Sequence, residues 1–306
     1  MFLKSFALVV SLLFLFLGCS QQISQMRFTK PSDKIMGGSQ VPPQDFTAQS
    51  TVGIYDHLEQ GICTGTLIAP NIVLTAAHCL SSRPKNMRII FHENIDDTLN
   101  AREPDIKEAF VRKVSEYRIH PNYAPQQDQE KYDLNDIGLI RFQGSIPEGF
   151  KPVEFLKNTN VLQKGMWVTV AGYGVTKVEA REIDPKNYPD FEESLKYGLV
   201  ICFDTRNTDC IELHMEGDGT LLKAQAQISK IHHSEFSLDE TKGQGTCSGD
   251  SGGPAYIKIG DKILVAGVTS RGSMLCNDEG VYSSTAAHGD WLSQTVNELM
   301  AKVVAK

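Results

Sequence analysis

From Thr51 onward, the apolar residues of this chain occur in short runs separated by turn-forming residues. The runs Leu67-Ile68 and Ile72 to Leu74, for example, are divided by Pro70-Asn71, a dipeptide typical of a tight turn. Further runs of strand length cover residues 87–91, 137–142, 166–172, 222–228 and 263–270. Short runs with frequent turns predict an all-β fold, either a sandwich or a barrel.

Only the C-terminal end has strong helical periodicity. Leu292, Val296, Leu299 and Val303 recur at spacings of four, three and four residues, which places them on one face of an α-helix. We therefore expect a single terminal helix packed against the β body.

The first 18 residues have the pattern of an export signal. Lys4 precedes an uncharged apolar run from Phe6 to Leu17, which is shorter than the roughly 20 residues of a membrane-spanning helix. Gly18 and Cys19 follow, an ending that resembles a bacterial lipoprotein signal in which Cys19 becomes lipidated. Ordinary signal cleavage near this point is the alternative. We expect an exported protein, periplasmic or extracellular, whose only membrane anchor would be a lipid on the precursor.

Seven cysteines in an exported chain predict disulfides and one unpaired residue, for which Cys19 in the leader is the natural choice. Six cysteines allow fifteen pairings. The simplest pairing joins cysteines that flank the same apolar runs or lie in the same polar stretch: Cys63 with Cys79, Cys202 with Cys210, and Cys247 with Cys276.

The charge distribution argues against nucleic acid as a partner. The formal net charge is -7, and residues 1–34 contribute positive charge, so the remaining body is more acidic still and has no basic cluster. A polar segment at about 175–220 interrupts the strand rhythm and holds eleven acidic and five basic residues. We expect this segment to be a surface insertion, either a solvated loop closed by Cys202 and Cys210 or an acidic flap that selects substrates or an inhibitor. The acidic residues near 93–97 hint at a calcium loop, but they lack the spacing of a defined site, which favours surface charge.

The run Gly249-Asp250-Ser251-Gly252-Gly253-Pro254 carries the strongest chemical signal. A serine hydroxyl is a poor nucleophile at neutral pH, so it needs a neighbouring base and N–H groups directed at the oxyanion that it creates. His78 follows an apolar run directly and precedes Cys79. Its imidazole, with an ordinary pKa of about 6.5, suits a group that accepts and returns a proton near neutral pH.

Four motifs along the chain resemble, in order, the hallmarks of the trypsin and chymotrypsin family of serine proteases: Ile35 to Gly38, Ala76 to Cys79, Asp136 to Ile140, and Gly249 to Pro254. The resemblance covers almost everything from Ile35 to about Met300. It implies two six-stranded antiparallel β-barrels with a C-terminal α-helix, and an endopeptidase that needs no cofactor. The domain boundaries would be a signal peptide at 1–18, a prosegment at 19–34 and a protease domain at 35–306.

The resemblance also assigns roles at the catalytic centre. Ser251 would be the nucleophile, His78 the general base and Asp136 the partner that fixes the tautomer of His78. Asp133 is a competing carboxylate, but Asp136 directly precedes the apolar strand, as the family motif requires. The backbone N–H groups of Gly249 and Ser251 would form the oxyanion hole.

The resemblance further implies that the chain is made as a zymogen. A protease that prefers basic residues would cut between Lys34 and Ile35, and the new amino group of Ile35 would pair with the buried carboxylate of Asp250. Because the prosegment from Ser20 to Lys34 contains no cysteine, no disulfide would retain it after the cut.

Substrate choice depends on a pocket that the resemblance assigns to Gly245, Thr246, Ser270, Gly272 and Gly280. Relatives that cut after Arg or Lys have an aspartate where this chain has Gly245, so the sequence favours an apolar residue before the scissile bond. Glu279 is the alternative source of an acid, and it would restore a basic preference. With an apolar pocket, the enzyme would not process itself efficiently.

Two functions outside catalysis remain open. A catalytically inactive relative could serve as a binding protein on the cell surface, because a fold can outlive its chemistry. A structural or adhesive lipoprotein is supported by the leader alone. The complete set of His78, Asp136 and Ser251 favours a protease that acts on protein or peptide substrates.

Overall fold

The computed structural model describes residues 35–125 and 132–304. The leader, Cys19 and the prosegment lie outside these residues, so the predictions made for them stay predictions. Within the described ranges, no helix has both the length and the apolar character needed to cross a bilayer.

The first barrel follows a short entry segment, which consists of strand β1 (Ser39–Gln40) and helix α1 (Phe46–Ser50). Its six strands are β2 (Thr51–Asp56), β3 (Gly61–Ala69), β4 (Ile72–Thr75), β5 (Met87–Ile90), β6 (Val111–Ile119) and β7 (Gly138–Phe142). They pair antiparallel in the order β2-β3-β4-β7-β6-β5, and β5 closes on β2. Pro70-Asn71 forms the tight β3–β4 connection that the sequence predicts.

The second barrel uses β8 (Trp167–Gly172), β12 (Leu222–Ile231), β13 (Glu235–Asp239), β14 (Pro254–Ile259), β15 (Lys262–Gly272) and β16 (Glu279–Ser284). The order is β12-β13-β16-β15-β14-β8, and pairing of β8 with β12 closes it. Strand β12 alternates between buried apolar and more exposed polar residues at 222–228, as expected for a strand with one face in a barrel core. The prediction of two six-stranded antiparallel barrels is confirmed.

The acidic insertion is more ordered than the loop that the sequence suggests. It forms a separate three-stranded antiparallel sheet, in the order β10-β11-β9, from β9 (Lys177–Ile183), β10 (Val200–Cys202) and β11 (Cys210–Glu216). Helix α4 (Phe191–Lys196) lies between β9 and β10. The insertion contacts the first barrel at its base, where Leu221 N–H donates to Glu93 O and Ile95 N–H donates to Gly219 O.

The terminal helix is α5 (Gly289–Val304), and Leu292 and Leu299 on its predicted face are completely buried. The side chain of Val303 is not among those described. The expected terminal helix is thus present, and the described residues also form four short helices: α1, α2 (Ile95–Asn100), α3 (Pro104–Phe110) and α4. These four span five to seven residues each, too short for an apolar stripe to recur.

The three largest apolar clusters among the described residues hold the domain together. One fills the first barrel around Leu67, Ile89 and Phe142, and another fills the second barrel around Val170 and Phe236. The third joins both barrels to α5, and its members include Leu74, Tyr173, Tyr256 and Leu292. The loops that carry the predicted site residues are therefore anchored in rigid elements.

Candidate active site

The loop that carries Ser251 has a backbone that only glycine accommodates. Gly249 and Gly252 adopt φ values of +96° and +82°, a region that favours glycine strongly. A Cβ atom on Gly252 would come within 3.0 Å of the Thr64 and Thr75 atoms of the first barrel. Thr64 N–H donates to the carbonyl of Ser251 at 2.8 Å, so the serine loop is joined directly to β3.

His78 begins a short 3₁₀ helix, His78–Leu80, after β4. The disulfide between Cys63 and Cys79 ties this turn to β3. Cys79 Sγ also lies 3.5 Å from the carbonyl oxygen of Ser251. The structure thus brings the histidine turn and the serine loop together.

Asp136 binds His78 through both of its carboxylate oxygens. His78 Nδ1 lies 2.7 Å from Asp136 Oδ2, and the backbone N–H of His78 donates to Oδ1 at 3.0 Å. Burial raises the pKa of Asp136, but the hydrogen bonds and charge of His78 together with a hydrogen bond from Ser270 outweigh burial and hold this pKa below its ordinary value. The carboxylate therefore stays ionised at neutral pH although it is only 3% exposed.

The competing carboxylate, Asp133, is engaged elsewhere. Its Oδ1 accepts hydrogen bonds from the backbone N–H and the hydroxyl of Ser234, at 2.6 and 2.7 Å. The geometry around His78 therefore favours Asp136, as expected from its position before the strand.

A buried ion pair behind Asp136 was not anticipated from the sequence. Ser270 Oγ donates to Asp136 Oδ2 at 2.7 Å, and Arg271 Nη1 lies 3.3 Å from the same Ser270 oxygen. Arg271 binds Glu235 with both terminal nitrogens, at 2.9 and 2.8 Å. Glu235 also accepts the backbone N–H groups of Asp133 and Leu134. The ion pair therefore fixes the loop that carries Asp136.

The backbone N–H groups of Gly249 and Ser251 are free to bind a ligand. In the part of the chain that the structure describes, neither group donates a hydrogen bond. The carbonyl of Gly249 is held by Thr64 Oγ1 at 2.9 Å, which fixes the orientation of the neighbouring peptide. This arrangement suits an oxyanion hole.

Ile35 and Asp250 are both completely buried. Asp250 accepts the backbone N–H groups of Gly174 and Cys247, at 2.8 and 2.9 Å. Burial raises the pKa of Asp250 to about 7, against the lowering effect of these two hydrogen bonds. Since Ile35 is still linked to Lys34 in this chain, its nitrogen is a peptide nitrogen that carries no charge.

The pocket beside Ser251 is lined by Thr246, Cys247, Thr269, Gly272 and Cys276, among others. Gly280 lies opposite Gly272 in the pairing of β15 with β16. Ser270 precedes Gly272 on the same strand, and its hydroxyl points to Asp136 rather than into the pocket.

Thr246, which lines this pocket, donates its backbone N–H to Glu240, an acid that was not anticipated from the sequence. Glu240 is 1% exposed, and Cβ atoms on Gly245 or Gly280 would each come within 3.0 Å of its side chain. The apolar prediction rested on Gly245 and did not take Glu240 into account. Glu279, the alternative acid, pairs with Lys230 at 3.3 Å instead.

All three predicted disulfides are present: Cys63–Cys79, Cys202–Cys210 and Cys247–Cys276. Among the described residues, the one group of His, Cys, Asp and Glu side chains close enough to share a metal ion is Cys63, His78 and Cys79. Because both cysteines are oxidised in a disulfide, this group is not a metal site.

Comparisons with known proteins agree with this geometry. A family model described as Trypsin matches residues 35–292. The chain is 25% identical over 285 residues to phenoloxidase-activating factor 1 of Holotrichia diomphalia, covering 87% of this chain and 70% of that protein. It is 28% identical over 269 residues to kallikrein-8 of Homo sapiens, covering 86% of this chain and 87% of that protein.

A third relative is the Spaetzle-processing enzyme of Drosophila melanogaster, which is 29% identical over 259 residues. That alignment covers 76% of this chain but only 58% of the enzyme, so the chain spans less than two thirds of that relative. All three relatives are animal proteins, and they give no support to a bacterial origin or a lipoprotein leader.

Proposed function

Since this chain belongs to the trypsin family and is a serine endopeptidase, we propose that Ser251, His78 and Asp136 form its catalytic triad. The observation that carries the proposal is the double contact of Asp136 with His78, at 2.7 and 3.0 Å, beside the serine loop. An ionised and buried carboxylate at this place would hold the proton of His78 on Nδ1. The other ring nitrogen, Nε2, is then available as a base.

The proposed reaction follows the mechanism established for the family. His78 Nε2 takes the proton of Ser251 Oγ while this oxygen attacks the carbonyl carbon of the scissile peptide bond. The oxyanion that forms accepts hydrogen bonds from Gly249 N–H and Ser251 N–H. His78 then gives its proton to the leaving amine, and the acyl-enzyme remains. Water, deprotonated by His78, hydrolyses the acyl-enzyme and restores Ser251.

We also propose that the enzyme is exported and made as a zymogen. The apolar leader supports export, and lipidation of Cys19 is a finer proposal that rests on the leader alone. Two observations support activation at Lys34–Ile35: Ile35 is buried beside the second barrel core, and Asp250 is a buried carboxylate whose described hydrogen-bond partners are neutral. Sequencing the N terminus of the protein in medium and membrane fractions tests these points, and active protein should begin at Ile35.

The substrates are proposed to be proteins or peptides. The names of two relatives describe proteins that activate or process other proteins, and this supports the same class of substrate here. An activating protease with basic specificity would be one partner, and an inhibitor that occupies the cleft would be another.

An inactive binding protein is the rival function, and substitution of Ser251 separates the two. We predict that purified Ser251→Ala keeps its melting temperature but loses peptide hydrolysis by about 10⁵-fold or more, because the members of a triad act as a unit. His78→Ala should lose a similar factor.

A fluorophosphonate probe, which reacts with activated serines, supplies the direct measurement. It should label the activated wild-type protein at Ser251 and leave Ser251→Ala unlabelled. Near-normal turnover by Ser251→Ala would rule out Ser251 as the nucleophile. A wild-type protein that is cut at Ile35 and still unreactive would support the binding protein instead.

A further inference from the structure

Glu240 follows directly after β13, and its side chain reaches under the pocket beside Ser251. Thr246 connects the two, because it lines the pocket and also donates its N–H and Oγ1–H groups to Glu240 Oε1, at 3.0 and 3.1 Å. Tyr282 Oη lies 3.4 Å from the same oxygen. These contacts hold the buried carboxylate in place behind Thr246.

The second oxygen of this carboxylate, Oε2, is buried and has no hydrogen-bond partner among the described residues. Leaving a buried polar atom unpaired is costly, and the cost is larger for a charged group. In addition, none of the cations described in the structure pairs with Glu240. The floor of the pocket thus offers a negative charge and an unused acceptor.

The glycines around Glu240 explain how it reaches this position. Gly245 and Gly280 have no side chains, and a Cβ atom on either would collide with the Glu240 side chain. The lack of a side chain at Gly245, which suggested an apolar pocket, therefore leaves room for the longer side chain of Glu240.

Two other charged residues near the pocket do not compete for this role. Arg271 lines the pocket, but its charge is matched by Glu235. Glu279 directly precedes Gly280 on β16, and successive side chains of a strand point to opposite faces. Since a Cβ on Gly280 would face Glu240, Glu279 points away from the pocket, toward Lys230.

A lysine or arginine side chain supplies both a positive charge and N–H donors, which are what Glu240 Oε2 lacks. We propose that Glu240 is the specificity-determining residue of this protease and that it selects substrates with Lys or Arg before the scissile bond. This inference rests on the proposed function, because the pocket matters only if Ser251 is the nucleophile.

The test uses the full chain, activated by an added protease that cuts after lysine and is then removed. Wild type, Glu240→Gln and Glu279→Gln are assayed on peptides that differ only in the residue before the scissile bond: Lys, Arg, Gln, Leu or Phe. Wild type should prefer Lys and Arg. Glu240→Gln has nearly the same shape without the charge, so its kcat/KM for these two peptides should fall about 100-fold, as for the loss of one partner of a buried charge pair. Glu279→Gln, the matched control, should behave as wild type.

Fluorophosphonate labelling of all three proteins distinguishes failure of the role proposed for Glu240 from failure of the proposed function. If the proteins are labelled but wild type prefers Leu or Phe, or Glu240→Gln keeps the basic preference, the role of Glu240 is wrong and the proposed function stands. If wild type is not labelled, the proposed function fails and this inference fails with it. Should Glu240→Gln not fold, as judged by its melting curve, the wild-type panel alone decides.

Discussion

Arg271 and Glu235 place opposite charges inside the protein, with side-chain exposures of 5% and 0%. Through Ser270 they are linked to Asp136 and hence to His78. Removing one partner of such a pair typically costs about 3 to 5 kcal/mol, because the other charge stays buried without compensation. This ion pair therefore fixes the loop around Asp136. Replacing either Arg271 or Glu235 alone would leave the other charge unpaired and destabilise the site.

Glu240 is a second buried charge, but without a cationic partner among the described residues. Burial raises its pKa from 4.5 to about 7; the hydrogen bonds from Thr246 and Tyr282 oppose this rise, and the nearby charge of Asp250 adds to it. Between these two pH values the folded protein keeps a proton that the unfolded chain has lost. Stability contributed by this group therefore falls as the pH rises from about 4.5 to about 7, and the full penalty is present above pH 7.

We predict that the melting temperature of Glu240→Gln, relative to that of the parent, rises as the pH is raised from 5 to 8. One pKa unit corresponds to about 1.4 kcal/mol, so the gain is at most about 3 kcal/mol, or several degrees. Thermal denaturation of the precursor in a Ser251→Ala background measures it without self-digestion. Glu279→Gln is the control and should show a much smaller pH-dependent difference. If the melting temperatures of Glu240→Gln and the parent differ by the same amount at every pH, Glu240 titrates normally.

At the scale of elements, the acidic insertion is an independent sheet attached at its base. Its three strands pair only with one another among the described strands. Hydrogen bonds of Val175, Gly219 and Leu221 connect it to the loops at the barrel surface. Such an element can carry selectivity for large substrates without contributing to the triad.

We predict that removal of Asp184–Asp209, with Ile183 joined to Cys210 through an Asn-Gly turn, leaves hydrolysis of short peptides within about threefold of wild type. Ile183 and Cys210 are register partners in the β9–β11 pair, so a two-residue hairpin can join them. The variant also carries Cys210→Ser, because its disulfide partner Cys202 is removed. Initial rates on a short peptide and on a folded protein substrate provide the measurement. A large loss on the short peptide would show that the insertion supports the cleft itself.

The strands could be predicted from the sequence, and the residues of the proposed triad could be identified, because their signals are local. Runs of apolar residues indicate strands, and Gly249 to Pro254 is a contiguous motif. Glu240 and Glu235 could not be predicted in this way. Glu240 lies in a polar stretch that reads as an exposed turn, and it reaches the pocket only because β13 and β16 set Gly280 beside it. Glu235 on β13 pairs with Arg271 on β15, and the two residues are distant in sequence. The sequence offered one signal for these two residues, a charge at an end of the short strand β13.

At the scale of the whole molecule, the start of the protease domain contacts the floor of the substrate pocket. Gly245 N–H donates to the carbonyl of Met36 at 3.1 Å. A Cβ on Gly37 would collide with the backbone of Gly243. Cleavage before Ile35 would therefore alter a segment that rests against the pocket floor. If the chain is activated by this cut, we expect the contact to couple activation to specificity, in addition to the expected pairing of Ile35 with Asp250.

If Glu240 selects basic residues, the bond after Lys34 is itself a substrate of the enzyme. We therefore predict self-activation in trans, in place of the earlier expectation that another protease is required. Activated wild type should cut the Ser251→Ala precursor to give a new N terminus, Ile35-Met36-Gly37-Gly38. Activated Glu240→Gln should cut it about 100-fold more slowly, whereas Glu279→Gln should match wild type.

A Lys34→Gln, Ser251→Ala precursor should resist all three. N-terminal sequencing and gel densitometry over time supply the measurement. Equal cutting by wild type and Glu240→Gln would mean that Glu240 does not select the bond after Lys34. A precursor that wild type leaves intact would assign activation to a different protease.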